Sequence, residues 1–444
     1  MSLKSFTFRG GIHPPYSKRF SEKFKTEKAK EPTTVTIPLH QHIGAPCDPI
    51  VKVGDKVKVG QKIGEPTGFV SAPIHSSISG TVKKILLADS PSGEKVMSVV
   101  IESDGANEVH ESVKPKGDLS SLSKEEIIEI VKEAGITGLG GASFPTHVKL
   151  SPPLEKKIDT VILNGAECEP YLTADHRLML EQPENVIYGL KAIMKAVGVR
   201  KGFIGIEDNK KDAIKVLQKA AEKEANIEVV ALKTKYPQGD EKRLINAVTG
   251  REVPAGGLPM DVGVIVNNVG TAAAIANAIK TGMPLIERIV TITGGAVNTP
   301  KNLLVKIGTS FKEVIEQCDG YKEEPGKIVM GGPMMGMAQF TDEVPVIKGT
   351  SGILVLTKQE SESPDPEACI RCGKCIDVCP VNIQPLFISQ LSLKGMFEET
   401  EAYHVSNCIE CGCCSFVCPS KRPLLHSVRV AKKELANRKR KSNQ

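Results

Sequence analysis

Tryptophan is absent from the 444 residues, and aromatic side chains make up only 4% of them. Surfaces that hold bases or sugars by stacking need such rings, so recognition of that kind does not dominate this chain. Long apolar runs are missing too. The longest, residues 262–279, is interrupted by Asn267, Asn268 and Asn277, which a lipid-facing helix tolerates only at high cost. No transmembrane segment is therefore expected. The opening MSLKSFTFRGG has no hydrophobic core behind its first lysine, so it does not read as a secretory signal, and a cytoplasmic location is expected. Forty glycines are present without a triplet period, which excludes a collagen-like chain.

The body of the chain also lacks an excess of either charge. Residues 421–444 hold nine basic residues and one acid, a local +8 against an overall +6, so the remainder carries about −2. That balance argues against a nucleic-acid-binding body and for a local basic contact or a solubilising end. Apolar residues at 40% and charged residues at 25% suit a soluble globular protein, and the length suggests about three domains.

What is present in quantity is cysteine. Eight of twelve fall in two runs, Cys369-x2-Cys372-x2-Cys375-x3-Cys379-Pro380 and Cys408-x2-Cys411-x2-Cys414-x3-Cys418-Pro419. Reducing cytoplasm disfavours disulfides. Zinc needs four soft ligands and usually takes paired C-x2-C knuckles, not three thiolates and a fourth before proline. The spacing is that of bacterial ferredoxins, whose fourth cysteine ligates the other cluster. Cys369, Cys372, Cys375 and Cys418 are therefore assigned to one [4Fe–4S] cluster, and Cys408, Cys411, Cys414 and Cys379 to a second. Cys413 is out of register and reads as a non-ligand. Cys47, Cys168 and Cys318 stand alone, as small buried hydrophobes usually do; Cys168, between two glutamates, is the one to watch.

Ahead of these runs the patterns change in blocks. Residues 35–101 alternate in the manner of strands, with turns at Val53-Gly54-Asp55 and Val59-Gly60-Gln61. The stretch PIVKVGDKVKVGQKIGEPTGFVSAPIHSSISGTVKKI resembles the biotinyl/lipoyl-type barrel-sandwich hybrid. Its tip reads Ala72-Pro73-Ile74-His75, without the lysine such modules offer for modification, so a packing or docking module is expected and His75 is read as structural. A helix starts at a Ser123/Glu126 capping box and runs through Ile127, Ile128, Ile130, Val131 and Ala134. Residues 159–163, 202–206, 229–234 and 262–266 read as strands of a parallel α/β layer, with a helix over 210–224. A smaller α+β unit opens with strands at 289–293 and 303–307 and a helix from Ser310, with Glu313 at the capping-box position. Residues 331–336, GGPMMG, form a tight turn, and 361–366 a polar linker.

Between helix and first strand lies G-L-G-G-A-S-F (residues 138–144), with Lys149 soon after. Backbone amides of a glycine loop plus a lysine suit a phosphate. Asparagines close the strands at Asn164 and Asn267-Asn268, where their amides suit a ring of alternating donors and acceptors. The runs GITGLGGASFPTHVK, NGAECEP, Tyr236-Pro-Gln-Gly239-Asp240-Glu241 and VNNVGTAA are together similar to the FMN- and NADH-binding subunit of respiratory complex I. With FRGGIHPP at 8–15, GGPMMG and the double ferredoxin motif added, residues 6–425 resemble the C subunits of Rnf-type ion-translocating ferredoxin:NAD oxidoreductases.

That resemblance implies a multidomain α/β and α+β chain: a barrel-sandwich-hybrid-like domain over 1–115, a Rossmann-like FMN/NADH domain over 116–284, an SLBB-like β-grasp domain over 285–358, a two-[4Fe–4S] ferredoxin domain over 359–425 and a basic tail over 426–444. It implies that Gly138, Gly140, Gly141 and Lys149 contact the FMN phosphate and ribityl chain. Asn164, Tyr236, Gly239, Asn267, Asn268 and Thr271 would surround the flavin, Phe144 would stack on the nicotinamide nucleotide, and Glu167, Glu169, Asp240 and Glu241 would lie near flavin or NADH hydroxyls. Ala166 stands where complex I has an acid, and His147 where it has glycine. The implied activity is hydride exchange between NAD(H) and FMN with single electrons passed to the clusters, and no protein nucleophile is needed. The implied partners are NAD(H), other subunits of a membrane-bound complex and, indirectly, ferredoxin, with the chain peripheral on the cytoplasmic side. A soluble cobalamin reductase with the same parts and a non-catalytic scaffold that keeps only the clusters are the competing readings. The final helix end, rich in Arg and Lys, is expected to be solvated.

Overall fold

The computed structural model describes residues 5–442. Residues 5–31 run outside the barrel that follows. Phe6 bridges to Leu232 and Ile12 to Tyr236, and a short strand, β1 (Glu27–Lys28), lies parallel to Leu303 and Leu304. The barrel itself comprises β2 (Thr34–Pro38), β3 (Cys47–Pro49), β4 (Lys56–Val57), β5 (Lys62–Pro66), β6 (Ile74–His75), β7 (Gly80–Asp89) and β8 (Lys95–Ser103). They form two sheets, β2-β8-β7-β4 and β3-β5-β6. Inward residues of both, among them Val35, Ile37, Ile63, Ile74 and Val99, share one apolar core, and Cys47 is part of it.

The tip at residues 72–75 is buried throughout. His42 Nε2 accepts the Ala72 N–H at 3.0 Å, and Lys348, a distant residue, donates to the Pro73 carbonyl at 2.9 Å and to Gly135 at 2.6 Å. The tip is a packing surface, with no room for a modified side chain. Desolvation holds the His75 imidazole well below its usual range, so it stays neutral.

The next layer contains α1 (Lys124–Glu133), α2 (Thr146–Lys149), β9 (Thr160–Gly165), α3 (Ala174–Glu181), α4 (Pro183–Val197), β10 (Lys201–Glu207), α5 (Lys211–Ala220), β11 (Ile227–Leu232), α6 (Glu241–Thr249), β12 (Val264–Asn268) and α7 (Val269–Thr281). Both halves of the Ser123/Glu126 box are made. All four strands are parallel, in the order β11-β10-β9-β12, and their apolar residues are covered by helices on both faces. Helices α4 and α7 touch where Gly189 has no side chain; a Cβ there would lie 1.9 Å from the Ala272 carbonyl oxygen.

Strands β13 (Glu287–Thr293), β14 (Lys301–Lys306), β15 (Lys327–Met330), β16 (Met337–Gln339) and β17 (Gly352–Leu356), with α8 (Phe311–Glu316), form the smaller unit. Its sheet runs β1-β14-β13-β17-β15-β16, so the N-terminal segment supplies an edge. Ser310 caps α8 by accepting the Glu313 N–H at 3.2 Å. Phe311, Val314 and Ile315 face inward, and Cys318 is in the same core.

The cysteine region holds α9 (Lys358–Ser361), α10 (Lys374–Asp377), α11 (Pro385–Leu393), α12 (Cys413–Phe416) and α13 (Leu424–Ser442). The basic tail differs from a solvated end. Helix α13 continues through it, and Val428, Ala431 and Leu435 join Cys379, Ile383, Ile388 and Val405 in one core. Its cations are largely spoken for: Arg429 and Lys432 pair with Glu410, Arg438 with Glu398 and Glu434, and Lys439 with Glu401. Among the described residues no helix is long and apolar enough to cross a membrane.

Candidate flavin and iron–sulfur sites

The two cysteine runs fold as copies. Arg371 and Glu410 occupy the same position between the first two cysteines of their runs, at φ +56° and +58°. Gly373 and Gly412 follow at +76° and +79°, and Asn382 and Lys421 lie three residues past the fourth cysteine at +54° and +49°. Left-handed backbone at non-glycine residues is uncommon, and its repetition here curls each run into a tight cup whose short helix starts at the glycine.

Each cup opens on a hollow. One is lined by Cys369, Cys372, Cys375 and Cys418, the other by Cys379, Cys408, Cys411 and Cys414 together with Cys413. The fourth cysteine of each run thus lines the hollow of the other run, as the ferredoxin spacing predicts. The described cysteines are all free of disulfides. Among the described residues no three Cys, His, Asp or Glu side chains converge tightly enough for a single metal ion. Four thiols around a hollow fit a cubane better than zinc, whose ligands close in to about 2.3 Å of one atom. Cys413 donates instead to the Tyr236 carbonyl at 3.9 Å.

The α/β layer offers a second site. The chain steps from β9 outward to β10 and β11, then returns to place β12 on the other side of β9. In parallel sheets ligands collect at such a reversal, beyond the carboxyl ends of the strands. Asn164, next to last in β9, pairs in register with Asn268 at the end of β12. The glycine loop arches over this point as a small hairpin, with Gly138 N–H donating to the Phe144 carbonyl at 2.9 Å and Thr137 bridging to Pro145. Leu139 N–H donates to Thr271 Oγ1 at 3.0 Å, and a Cβ at Gly140 would press on Asn268 at 3.1 Å. Gly141, at φ +144°, faces open space. Lys149 Nζ reaches Glu241 Oε1 at 2.8 Å and the Val266 carbonyl at 2.9 Å, leaving one of its three donors for a further group. Asn267 Nδ2 is buried with no hydrogen-bond partner, as are both amide atoms of Gln238. Such orphans cost free energy unless a bound group completes them. The site fits FMN.

Not every expected residue points there. Glu169 accepts the N–H groups of Met334 and Met335 at 3.0 and 2.8 Å. Burial pushes its carboxyl up to about 7 against those two bonds. Asp240 caps α6 through Arg243 N–H at 3.1 Å. Glu167 accepts Asp175 N–H at 2.7 Å. Ala166 is buried in the sheet core, and the His147 ring meets Phe69 of the barrel edge-on, centroids 6.5 Å apart. Both departures from complex I thus serve packing. Cys168 accepts the Gly239 N–H at 3.3 Å. Burial and its acidic neighbours raise its thiol pKa, keeping it protonated.

Sequence reasoning placed Tyr236 beside the flavin without its contact to the cysteine run, and missed the other residues that tie the sites together. Tyr236, buried, donates its hydroxyl to the Cys411 carbonyl at 2.9 Å, so the flavin-domain loop abuts the second cysteine run. Arg243 donates to the Pro380 carbonyl. The N-terminal Gly10-Gly11 pair threads between the two: Gly11 N–H donates to Val378 O at 2.8 Å, and a Cβ on Gly11 would stand 2.6 Å from Tyr236 O. Lys18, fully buried, donates to the carbonyls of Glu167, Glu169 and Leu172 at 2.8, 2.9 and 2.6 Å. Lys210 adds Ala166 O at 2.7 Å. These two lysines fix the NGAECEP loop.

A fold that joins such a parallel layer to twin cysteine cups defines a flavin- and iron–sulfur-dependent electron-transfer protein, and comparisons with known proteins agree. Residues 131–277 match the Nuo51 FMN-binding domain, 6–106 the RnfC barrel sandwich hybrid domain, 289–338 the SLBB domain and 362–419 the 4Fe–4S dicluster domain. The C subunit of the Na+-translocating ferredoxin:NAD+ oxidoreductase complex of Acetobacterium woodii is 55% identical over all of both chains. The proton-translocating counterpart of Clostridium ljungdahlii is 52% identical over 97% of this chain and 94% of its own. The C subunit of the ion-translocating oxidoreductase complex of Rhodobacter capsulatus is 42% identical over 100% and 86%. The chain belongs to the C subunits of ion-translocating ferredoxin:NAD+ oxidoreductase complexes, related to the FMN subunit of complex I. Its cofactors are FMN and [4Fe–4S] clusters. Of the three readings the sequence left open, this membership supports the first.

Proposed function

We propose that this subunit exchanges a hydride with NAD(H) at FMN and relays single electrons through two [4Fe–4S] clusters to other subunits of a membrane-bound complex. FMN supplies the conversion between two-electron and one-electron chemistry. The chain supplies position. Lys149 and the amides of Gly140 and Gly141 hold the phosphate. The unpartnered Asn267 amide meets the ring beside Asn164 and Asn268, whose own amides brace the surrounding loops, and Thr271 keeps the loop closed over it by accepting from Leu139. Phe144, at the foot of the hairpin, stacks on the nicotinamide nucleotide. Glu241 orients Lys149 through its 2.8 Å contact. The sheet order β11-β10-β9-β12 is that of half a Rossmann-like layer, and the SLBB unit reads as β-grasp-like. With no spanning helix among the described residues, the chain joins its complex peripherally, on the cytoplasmic side.

The observation that carries this reading is the contact from Tyr236 to Cys411, which ties the flavin-domain loop to one of the two cysteine cups. Anaerobic reconstitution with iron and FMN, followed by titration with NADH and with NADPH, tests it. Bleaching of both flavin and cluster absorbance by NADH is the expected result; a flavin that NADH reduces while the clusters stay oxidised rules out the relay.

A further inference from the structure

The two cups meet different surroundings. In the second, Cys411, Cys413 and Cys414 are buried, whereas Cys369 and Cys372 of the first are exposed. Ile370 between them is 67% exposed. Arg371, Lys374 and Arg422 line the first hollow, with no acidic residue among its lining, and Lys421 lies beside them. None of these four cations forms an ion pair among the described residues, although Glu362, Asp365 and Glu367 precede the run and Asp377 follows it. Arg422 reaches only the Glu367 carbonyl, at 3.4 Å. The contrast with the second cup is sharp at one position. Glu410, which matches Arg371 in the repeat, is bound by Arg429 and Lys432 at 2.9 and 2.6 Å.

We infer that the rim of the first hollow is a docking surface for an acidic redox-active face of another subunit of the complex. This rests on the cluster assignment above and adds the partner's chemistry to it. Four unpaired cations around an exposed apolar knob, above thiols that open to solvent, match the anatomy of an electron-transfer contact. The apolar centre excludes water, and the charged rim steers encounter and sets orientation. Unpaired cations gathered on one rim repel in the free chain, so an acidic face relieves them on docking.

The test uses the full chain loaded with FMN and iron, reduced by NADH and mixed in a stopped-flow cell with a soluble, strongly acidic ferredoxin. Basic cytochrome c serves as the control acceptor. Raising salt from about 50 to about 500 mM is expected to slow transfer to the ferredoxin roughly tenfold and leave cytochrome c unslowed. Combined Arg371→Glu and Arg422→Glu should lower the low-salt rate about tenfold and flatten its salt dependence, with iron content unchanged. Glutamate at position 371 suits the backbone, since Glu410 holds the same φ in the other copy. If that pair of changes disturbs iron loading, Lys421→Glu alone, outside the hollow's lining, should still reduce the low-salt rate about threefold. Absent iron, or clusters that NADH leaves oxidised in the unaltered chain, overturns the cluster assignment itself. Full iron and NADH reduction with a salt-independent rate overturns the docking surface alone.

Discussion

The two cysteine runs share a spacing, a pattern of left-handed residues and a short helix, yet one packs into the molecule and the other faces out. The second leans on Tyr236 and Ile12 and shares their apolar cluster, while α13 and α11 close over its interlocking partner Cys379. The first projects at the end of the linker with its cations unanswered. Coordination follows from the repeated residues. Role follows from the residues that were not repeated: Arg371 against Glu410, Lys374 against Cys413, Arg422 against Ile383. A duplicated motif can therefore hold two like clusters and still give the chain an inner and an outer end.

The largest effect expected comes from breaking the interlock. Cys379→Ser removes a thiolate from the hollow of Cys408, Cys411 and Cys414, although it belongs to the first run. Iron should fall from about eight to about four per chain, and the surviving EPR signal should be that of the outer cluster. Loss of the outer signal instead would mean that each run serves only itself. Next is the flavin. Lys149→Ala deletes a charge-assisted contact, so FMN affinity should drop by about 1.5–3 kcal/mol, read by fluorescence as flavin is released; undiminished FMN content would remove the lysine from the phosphate site. Cluster iron should be unchanged, which separates the two sites.

A smaller effect is expected at the joint between them. Tyr236→Phe leaves the Cys411 carbonyl without its buried donor, costing about 1–3 kcal/mol in a urea titration. Arg371→Ala, on the open cup, should cost nearly nothing by the same measure.

The last is a pH effect at the barrel tip. Burial lowers the Lys348 ammonium from 10.5 to about 7. Between those values the unfolded chain binds the extra proton, so this group makes stability rise with pH across that window and adds a constant penalty below it. Lys348→Met should flatten the rise in melting temperature between pH 7 and pH 9.5 while lowering the melting temperature itself, because Pro73 and Gly135 lose their donor. A slope equal to that of the unaltered chain would place the titration elsewhere.

Much of this was legible in the chain. The cysteine spacing foretold which thiols share a hollow, because loop length alone fixes the cup and the proline ends it. Ser123 and Glu126 announced α1, and alternation announced the barrel, since both signals are local. Residues whose partners lie far along the sequence were not legible. Lys18 meets carbonyls about 150 positions away, and nothing around it marks a lysine as fully buried, which is rare for that residue. The FRGG segment reads as a loop until Val378 and Tyr236 are placed on either side of it. The glutamate pattern around Cys168 suggested ligand contacts, yet Glu169 is held by backbone amides of a turn 165 residues on. The tail looked solvated because its charges dominate its composition; Val428, Ala431 and Leu435 form a thin apolar stripe that only α11 reveals. A truncation meant to probe the basic end must therefore start beyond Leu435. Removal of the barrel must spare residues 5–28, which brace the flavin domain.

The central claim, that the second cup is the inner relay and the first the outer, is tested most directly with single-cluster chains. Cys372→Ser should leave only the inner cluster, and Cys411→Ser only the outer, each verified by iron content and EPR. Under anaerobic stopped-flow mixing with NADH, the chain that keeps the inner cluster should show prompt bleaching of both flavin and cluster. The chain that keeps only the outer cluster should show prompt flavin bleaching with its cluster left behind, slower by about two orders of magnitude, equivalent to about 2.7 kcal/mol of added barrier. Equal rates in the two chains, or faster reduction of the outer cluster, would contradict the account.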